Sequence, residues 1–229
     1  MTSNVTSAGT TNAPAVRAGA SAMRTRALLA CGAIAGPLFI GVALAQSLTR
    51  PGFDLSQHPI SLLSLGDLGW IQITNFVAAG ALFVAGAVGM RGALHPGRAG
   101  TWGPILTGAF GVSLIAGGVF VADPGLGFPP GTPPGIPDEF SWHGVVHSVA
   151  PVTGFLALTL ACLVFARRSV ARQQRGWAAV CVTIGVVVQA LGVWSNLTLN
   201  FVPLFTSMVL GFGWASAQAA RLRAEIRQA

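Results

Sequence analysis

A chain of 229 residues with 52% hydrophobic and only 8% charged side chains lacks the polar surface of a soluble domain, in which about a quarter of residues are charged. Its formal charge of +7 comes from thirteen arginines and no lysine. These lie scattered between apolar runs instead of gathering in one patch, which argues against a nucleic-acid partner and for the lipid bilayer.

In chain order, residues 1–23 are Ser, Thr, Ala, Gly and Asn with almost no large apolar side chain. Such a segment buries too little to offset its chain entropy and is expected to be a disordered cytoplasmic tail. Arg24 and Arg26 precede the first apolar run, 27–48. Ala43-Leu44-Ala45 fits a signal-peptidase pattern, but the run is long enough to span a bilayer core of about 30 Å and is read as a helix. Five further runs follow at 70–90, 102–122, 142–166, 177–197 and 201–220, the last two joined by a tight connection. Backbone polar groups in lipid must be satisfied internally, so the runs are expected to be helices. The fold class is an all-α membrane protein. Residues 24–220 form a six-transmembrane-helix bundle, and 221–229 a basic cytoplasmic tail.

Twelve of the thirteen arginines fall in the N-terminal segment, the second and fourth connections and the C-terminal segment, leaving Arg50 alone opposite. The positive-inside rule then places both termini in the cytoplasm. An Ala- and Gly-rich composition without Lys or Tyr suggests a bacterial source, and hence the inner cell membrane. Cys31, Cys162 and Cys181 lie inside apolar runs and read as small core residues, not a disulfide framework or thiolate site.

The polar residues are lopsided. Asp54, Asp67, Asp123, Asp138 and Glu139, with His58, His143 and His147, fall on the expected outer side. Gln46, Gln72, Asn75 and Asn196 sit at the outer ends of their helices. Intramembrane polar groups are costly and mark sites by default. The expected site is an outward-facing polar pocket drawing on His58, Ser61, Asp67, Gln72, Asn75, Asp123 and Asn196. Between the first two runs, Ser56 is placed to cap a short amphipathic interfacial helix with Pro59 in its first turn. Arg50 and Asp54 are spaced to pair.

The segment Phe53-Asp54-Leu55-Ser56-Gln57-His58-Pro59-Ile60-Ser61-Leu62-Leu63-Ser64-Leu65-Gly66-Asp67, the Asp123-Pro124 step and the His143-Gly144-x-x-His147 pair resemble the domain-of-unknown-function 998 family of bacterial membrane proteins, over about residues 27–220. The resemblance implies a six-helix inner-membrane protein and brings no reaction with it.

His143 and His147 are one helical turn apart and share a face, a spacing that suits two imidazoles on one divalent metal such as zinc, with Asp123 and His58 as further ligands. The competing account has these histidines hydrogen-bonding to loop carbonyls and to Asp123, pinning the proline-rich stretch 123–147. Two functions follow. One is binding, sensing or assembly at the outer leaflet, with a lipid or small molecule in the pocket. The other is a metal-dependent hydrolase acting on a lipid-like substrate. The inventory of one Asp, one Ser and three His is also similar to the transmembrane hydrolases that include alkaline ceramidases, though helix number and motif order differ. No residue is assigned a catalytic role.

Overall fold

A computed structural model describes residues 13–228 as an all-helical protein. Its elements are α1 (Ala13–Thr49), a 3-10 turn (Ile60–Ser64), α2 (Gly69–Leu94), α3 (Arg98–Val119), α4 (Trp142–Ala171), α5 (Arg175–Thr198) and α6 (Val202–Gln228). Each helix packs antiparallel on the next, and α6 returns onto α1 to close a ring. The core is aromatic. Phe39, Phe83, Phe110 and Phe212, from α1, α2, α3 and α6, are all essentially inaccessible. Their rings meet at centroid distances of 4.9 Å (Phe39–Phe212), 5.0 Å (Phe110–Phe212) and 5.1 Å (Phe83–Phe110), within the range of favourable aromatic pairs.

Small residues set how closely the helices approach. A Cβ on Gly80 would stand 2.5 Å from the Gly111 carbonyl oxygen, and one on Gly36 2.5 Å from that of Phe212. Backbones so close gain dispersion over a long seam, the means by which helices associate in lipid. Outward, large apolar side chains such as Ile34, Val112, Val152, Val186 and Leu197 are exposed. A soluble protein does not expose so continuous an apolar surface.

Five helices are long and apolar enough to cross a membrane: the α1 portion Gly19–Thr49, and α2 to α5. Six were expected. Among the described residues α6 is not apolar enough over a bilayer-length stretch, because Ser207, Ser216 and Gln218 dilute its hydropathy while lying buried against the bundle. Ser216 Oγ donates to the Gly32 carbonyl of α1 at 3.0 Å, and Gln218 Oε1 accepts from Trp177 Nε1 of α5 at 2.8 Å. Ser216 and Gln218 thus tie α6 to α1 and α5.

One local expectation changes. The expected interfacial helix is a 3-10 turn whose Ile60, Leu62 and Leu63 are buried. Ser56 does not cap it: its N–H and hydroxyl both donate to Asp54 Oδ1, at 2.8 and 2.7 Å. Its Ile60, Leu62 and Leu63 are thus spent on the bundle and not on lipid, while Leu65 is half-buried. α1 begins at Ala13, inside the 1–23 segment; alanine has the highest helix propensity. Residues 1–12 of the expected tail lie outside the described residues.

Candidate functional site

The connections gathered at the end that carries His58, Asp123 and His143 are tied to one another. His58 is buried at the centre of the ties. Its Nδ1 accepts the Asp54 N–H at 2.9 Å, which leaves the proton on Nε2, and that nitrogen donates to the Leu126 carbonyl at 2.9 Å. The ring lies between Phe53 and Phe128, at centroid distances of 5.4 and 5.5 Å. The α5–α6 connection joins through Phe201 N–H, which donates to the Ser56 carbonyl at 3.1 Å. Arg50 does not pair with Asp54. Its guanidinium donates to Gln46 Oε1 and to the carbonyls of Leu63, Leu65 and Leu68 at 2.9–3.3 Å, clamping the 3-10 turn to α1. The Ser56 hydroxyl above all, with the Ser56 N–H and the Gln57 amide, holds the Asp54 carboxyl below the usual carboxylate range.

The 143/147 histidine pair caps α3. A helix leaves its last carbonyls without partners, and those at the end of α3 are taken by imidazoles from α4. His147 Nδ1 stands 3.0 Å from the Gly117 oxygen and 2.7 Å from that of Phe120; His143 Nδ1 stands 3.1 Å from that of Val121. Only acceptors surround His147 Nδ1, so it carries the proton and its Nε2 presents a lone pair. Asp123 in turn serves the start of α4. Its Oδ1 accepts the Ser141 hydroxyl at 2.6 Å, its Oδ2 the Ser141 N–H at 2.9 Å, and Ser141 Oγ accepts the Gly144 N–H at 3.1 Å as the N-cap. The Ser141 hydroxyl, more than its backbone N–H, holds the Asp123 carboxyl below its usual range, against the opposing effect of burial. Asp123, Ser141 and His143 are thus adjacent. With its proton on Asp123 and its lone pairs engaged by Gly144 and His143, the hydroxyl is saturated and acts as a cap.

The four residues expected to ligate a metal are spread over these separate tasks. His143 Nδ1 approaches Asp123 Oδ1 at 4.0 Å, and among the described residues no three of His, Cys, Asp or Glu come together as a metal-binding group. Gln72 and Asn75 form a buried network with α1. Gln72 Oε1 accepts from Gln46 Nε2 at 2.7 Å and from Asn75 Nδ2 at 3.3 Å, and Asn75 Nδ2 also donates to the Phe39 carbonyl at 3.0 Å. Asp67 is exposed.

Beneath the tied connections lies a cavity of about 520 Å³ between α3, α4, α5 and α6, within the range of about 300–1,000 Å³ usual for small-molecule sites. Pro59, Ile60 and Ser61 roof it, and Phe76, Phe110, Leu114 and Met208 form its inner wall. Of the expected pocket residues, Ser61 and Asn196 line it, together with His147. Ser148, Pro151 and Val152 of α4, and Val193, Asn196 and Leu197 of α5, line it while also being exposed, so it opens along the α4–α5 seam. Below, the seam is shut by Gln189 Nε2, which donates to the Phe155 carbonyl at 3.0 Å and to Thr159 Oγ1 at 2.8 Å.

A family model described as a protein of unknown function (DUF998) matches residues 33–222. The chain belongs to this family. No curated protein and no solved structure matches it. The DUF998 match runs from within α1 to near the end of α6, so both the tied connections and the whole cavity lie inside it. Sequence reasoning about this DUF998 chain missed Gln189, Ser113, Ser148 and Ser207 as lining residues. Single polar residues inside apolar runs carry a faint signal, and Gln189 was the most visible of them.

Proposed function

We propose that this DUF998 protein is a multi-pass protein of the bacterial inner membrane that binds a lipid-like amphiphile in the cavity beneath its outer connections. In this reading α6 is the sixth span, both termini are cytoplasmic, and the end carrying His147 lies in the outer leaflet. The membrane-embedded unit is 24–220, with basic residues continuing through 221–229. One observation carries the reading. The cavity is apolar over most of its wall, has polar groups under its roof, and opens sideways through the α4–α5 seam, where a chain in the bilayer could enter. Binding is favoured over metal-assisted hydrolysis because, among the described residues, His58, Asp123, His143 and His147 do not gather into one group of three or more ligands.

Gly192 supplies the test. It lines the cavity, and a Cβ built on it meets nothing within 4 Å, so Gly192→Leu fills the space without displacing backbone. Lipids retained by the purified protein would be identified by mass spectrometry for wild type and variant. A single-chain or small amphiphile enriched on the wild type and lost from an equally stable Gly192→Leu protein is expected. Identical lipid profiles for the two proteins would refute the binding function.

A further inference from the structure

The polar groups that face the cavity have most of their donor hydrogens already used. Ser113 Oγ donates to the Phe110 carbonyl at 2.7 Å, Ser148 Oγ to that of Gly144 at 2.9 Å, and Ser207 Oγ to that of Leu204 at 2.7 Å. Asn196 Nδ2 donates one of its two hydrogens to the Gly192 carbonyl at 2.8 Å, and Gln189 Nε2 spends both of its hydrogens on α4. His147 is 7% exposed, and its one proton goes to the end of α3. Pro151 has no N–H, so the His147 carbonyl lacks its helical donor as well. What remains toward the cavity is a set of lone pairs on Ser, Asn, Gln and His, beside one free Asn196 N–H. Ser61 keeps a free hydroxyl at the roof. Among the described residues, no arginine and no carboxylate lines the space.

We infer that the cavity selects an uncharged amphiphile whose polar end is a hydrogen-bond donor, a hydroxyl, and rejects anionic headgroups. The inference rests on the amphiphile-binding function proposed above. Lone pairs stabilise an incoming O–H, whereas a phosphate or carboxylate brought among them would meet no counter-charge and only two free donors, on Ser61 and Asn196, in a setting where an unpaired charge is costly. A free long-chain alcohol and an acylglycerol both present this donor.

Displacement of a fluorescent long-chain alcohol from the purified protein in micelles tests this with four probes of equal chain length: hexadecanol, monopalmitoylglycerol, palmitate and hexadecyl phosphate, at a pH where both acids are ionised. The two hydroxyl probes are expected to compete, their relative strength telling the free alcohol from the acylglycerol. The two anions should bind at least about tenfold more weakly, a difference of about 1.4 kcal/mol. His147→Phe, checked for an unchanged melting temperature, should narrow that gap. Should that variant fail to fold, the wild-type ranking alone decides. Anions that compete as well as the alcohol would overturn the inference while leaving amphiphile binding intact. If instead no probe competes in a manner that Gly192→Leu abolishes, the binding function itself falls.

Discussion

Single side chains at the His147 end do two jobs at once, each closing a backbone vacancy and joining two segments. His58 is the clearest case, because its removal leaves both the Asp54 N–H and the Leu126 carbonyl without a partner. Such a loss costs about 1–3 kcal/mol. His58→Ala should therefore speed proteolysis within 124–140 and lower the melting temperature; an unchanged digestion rate would mean that the tie does not hold the connection. Asp123 gives a pH signature. Its folded pKa is depressed, chiefly by the Ser141 hydroxyl, so its contribution is complete above the unfolded value of about 3.9 and fades as pH falls through the lower folded value. Asp123→Asn faces the Ser141 N–H with an amide that can offer only one oxygen, so it should destabilise at neutral pH and flatten the acid limb of a stability–pH curve. Equal acid limbs for wild type and variant would exclude the assignment. These roles were half legible in the sequence. The spacing of His143 and His147 put both on one face, which holds, but spacing cannot say whether a ring nitrogen meets an ion or the carbonyl end of a neighbouring helix. That depends on α3 ending beside α4, a tertiary fact.

At the scale of elements, apolar runs located every long helix, because a hydrocarbon-length run leaves the backbone little choice but a helix. The 3-10 turn escaped because Leu62 and Leu63 carry the same pattern whether they face lipid or a bundle. Glycines were equally ambiguous. Gly36 and Gly41 occupy equivalent-looking places around Pro37, yet a Cβ on Gly36 would press on the Phe212 carbonyl and Ser216, while one on Gly41 meets nothing within 4 Å. Gly36→Ala should cost about 1–3 kcal/mol by overpacking the α1–α6 seam. Gly41→Ala should be neutral or stabilise by up to about 1 kcal/mol through helix propensity. Thermal unfolding in detergent reads both, and equal shifts would mean that the α1–α6 approach is looser than these contacts describe.

For the whole molecule, the open question is whether α6 crosses the membrane with the other helices. Hydropathy alone counts it out, yet its two ends mark opposite faces of the bundle. It starts beside the first connection, where Phe201 donates to Ser56. It finishes where Glu225 meets Arg168 at 2.8 Å and Arg172 at 3.0 Å, and where Arg221 lies 4.4 Å over the Trp177 ring. A helix running from one set of connections to the other, between α1 and α5, must cross if they do. Its polar side chains impose no lipid penalty because Ser207, Ser216 and Gln218 are turned inward. In a background lacking the native cysteines, Pro134→Cys and Leu199→Cys should react with a membrane-impermeant maleimide on intact cells, while Gly176→Cys and Ala224→Cys should react only after lysis. Labelling of Leu199→Cys and Ala224→Cys from the same side would remove the sixth span. Reversal of all four would invert the orientation and put the cavity in the inner leaflet, so the same four positions decide span number and sidedness separately.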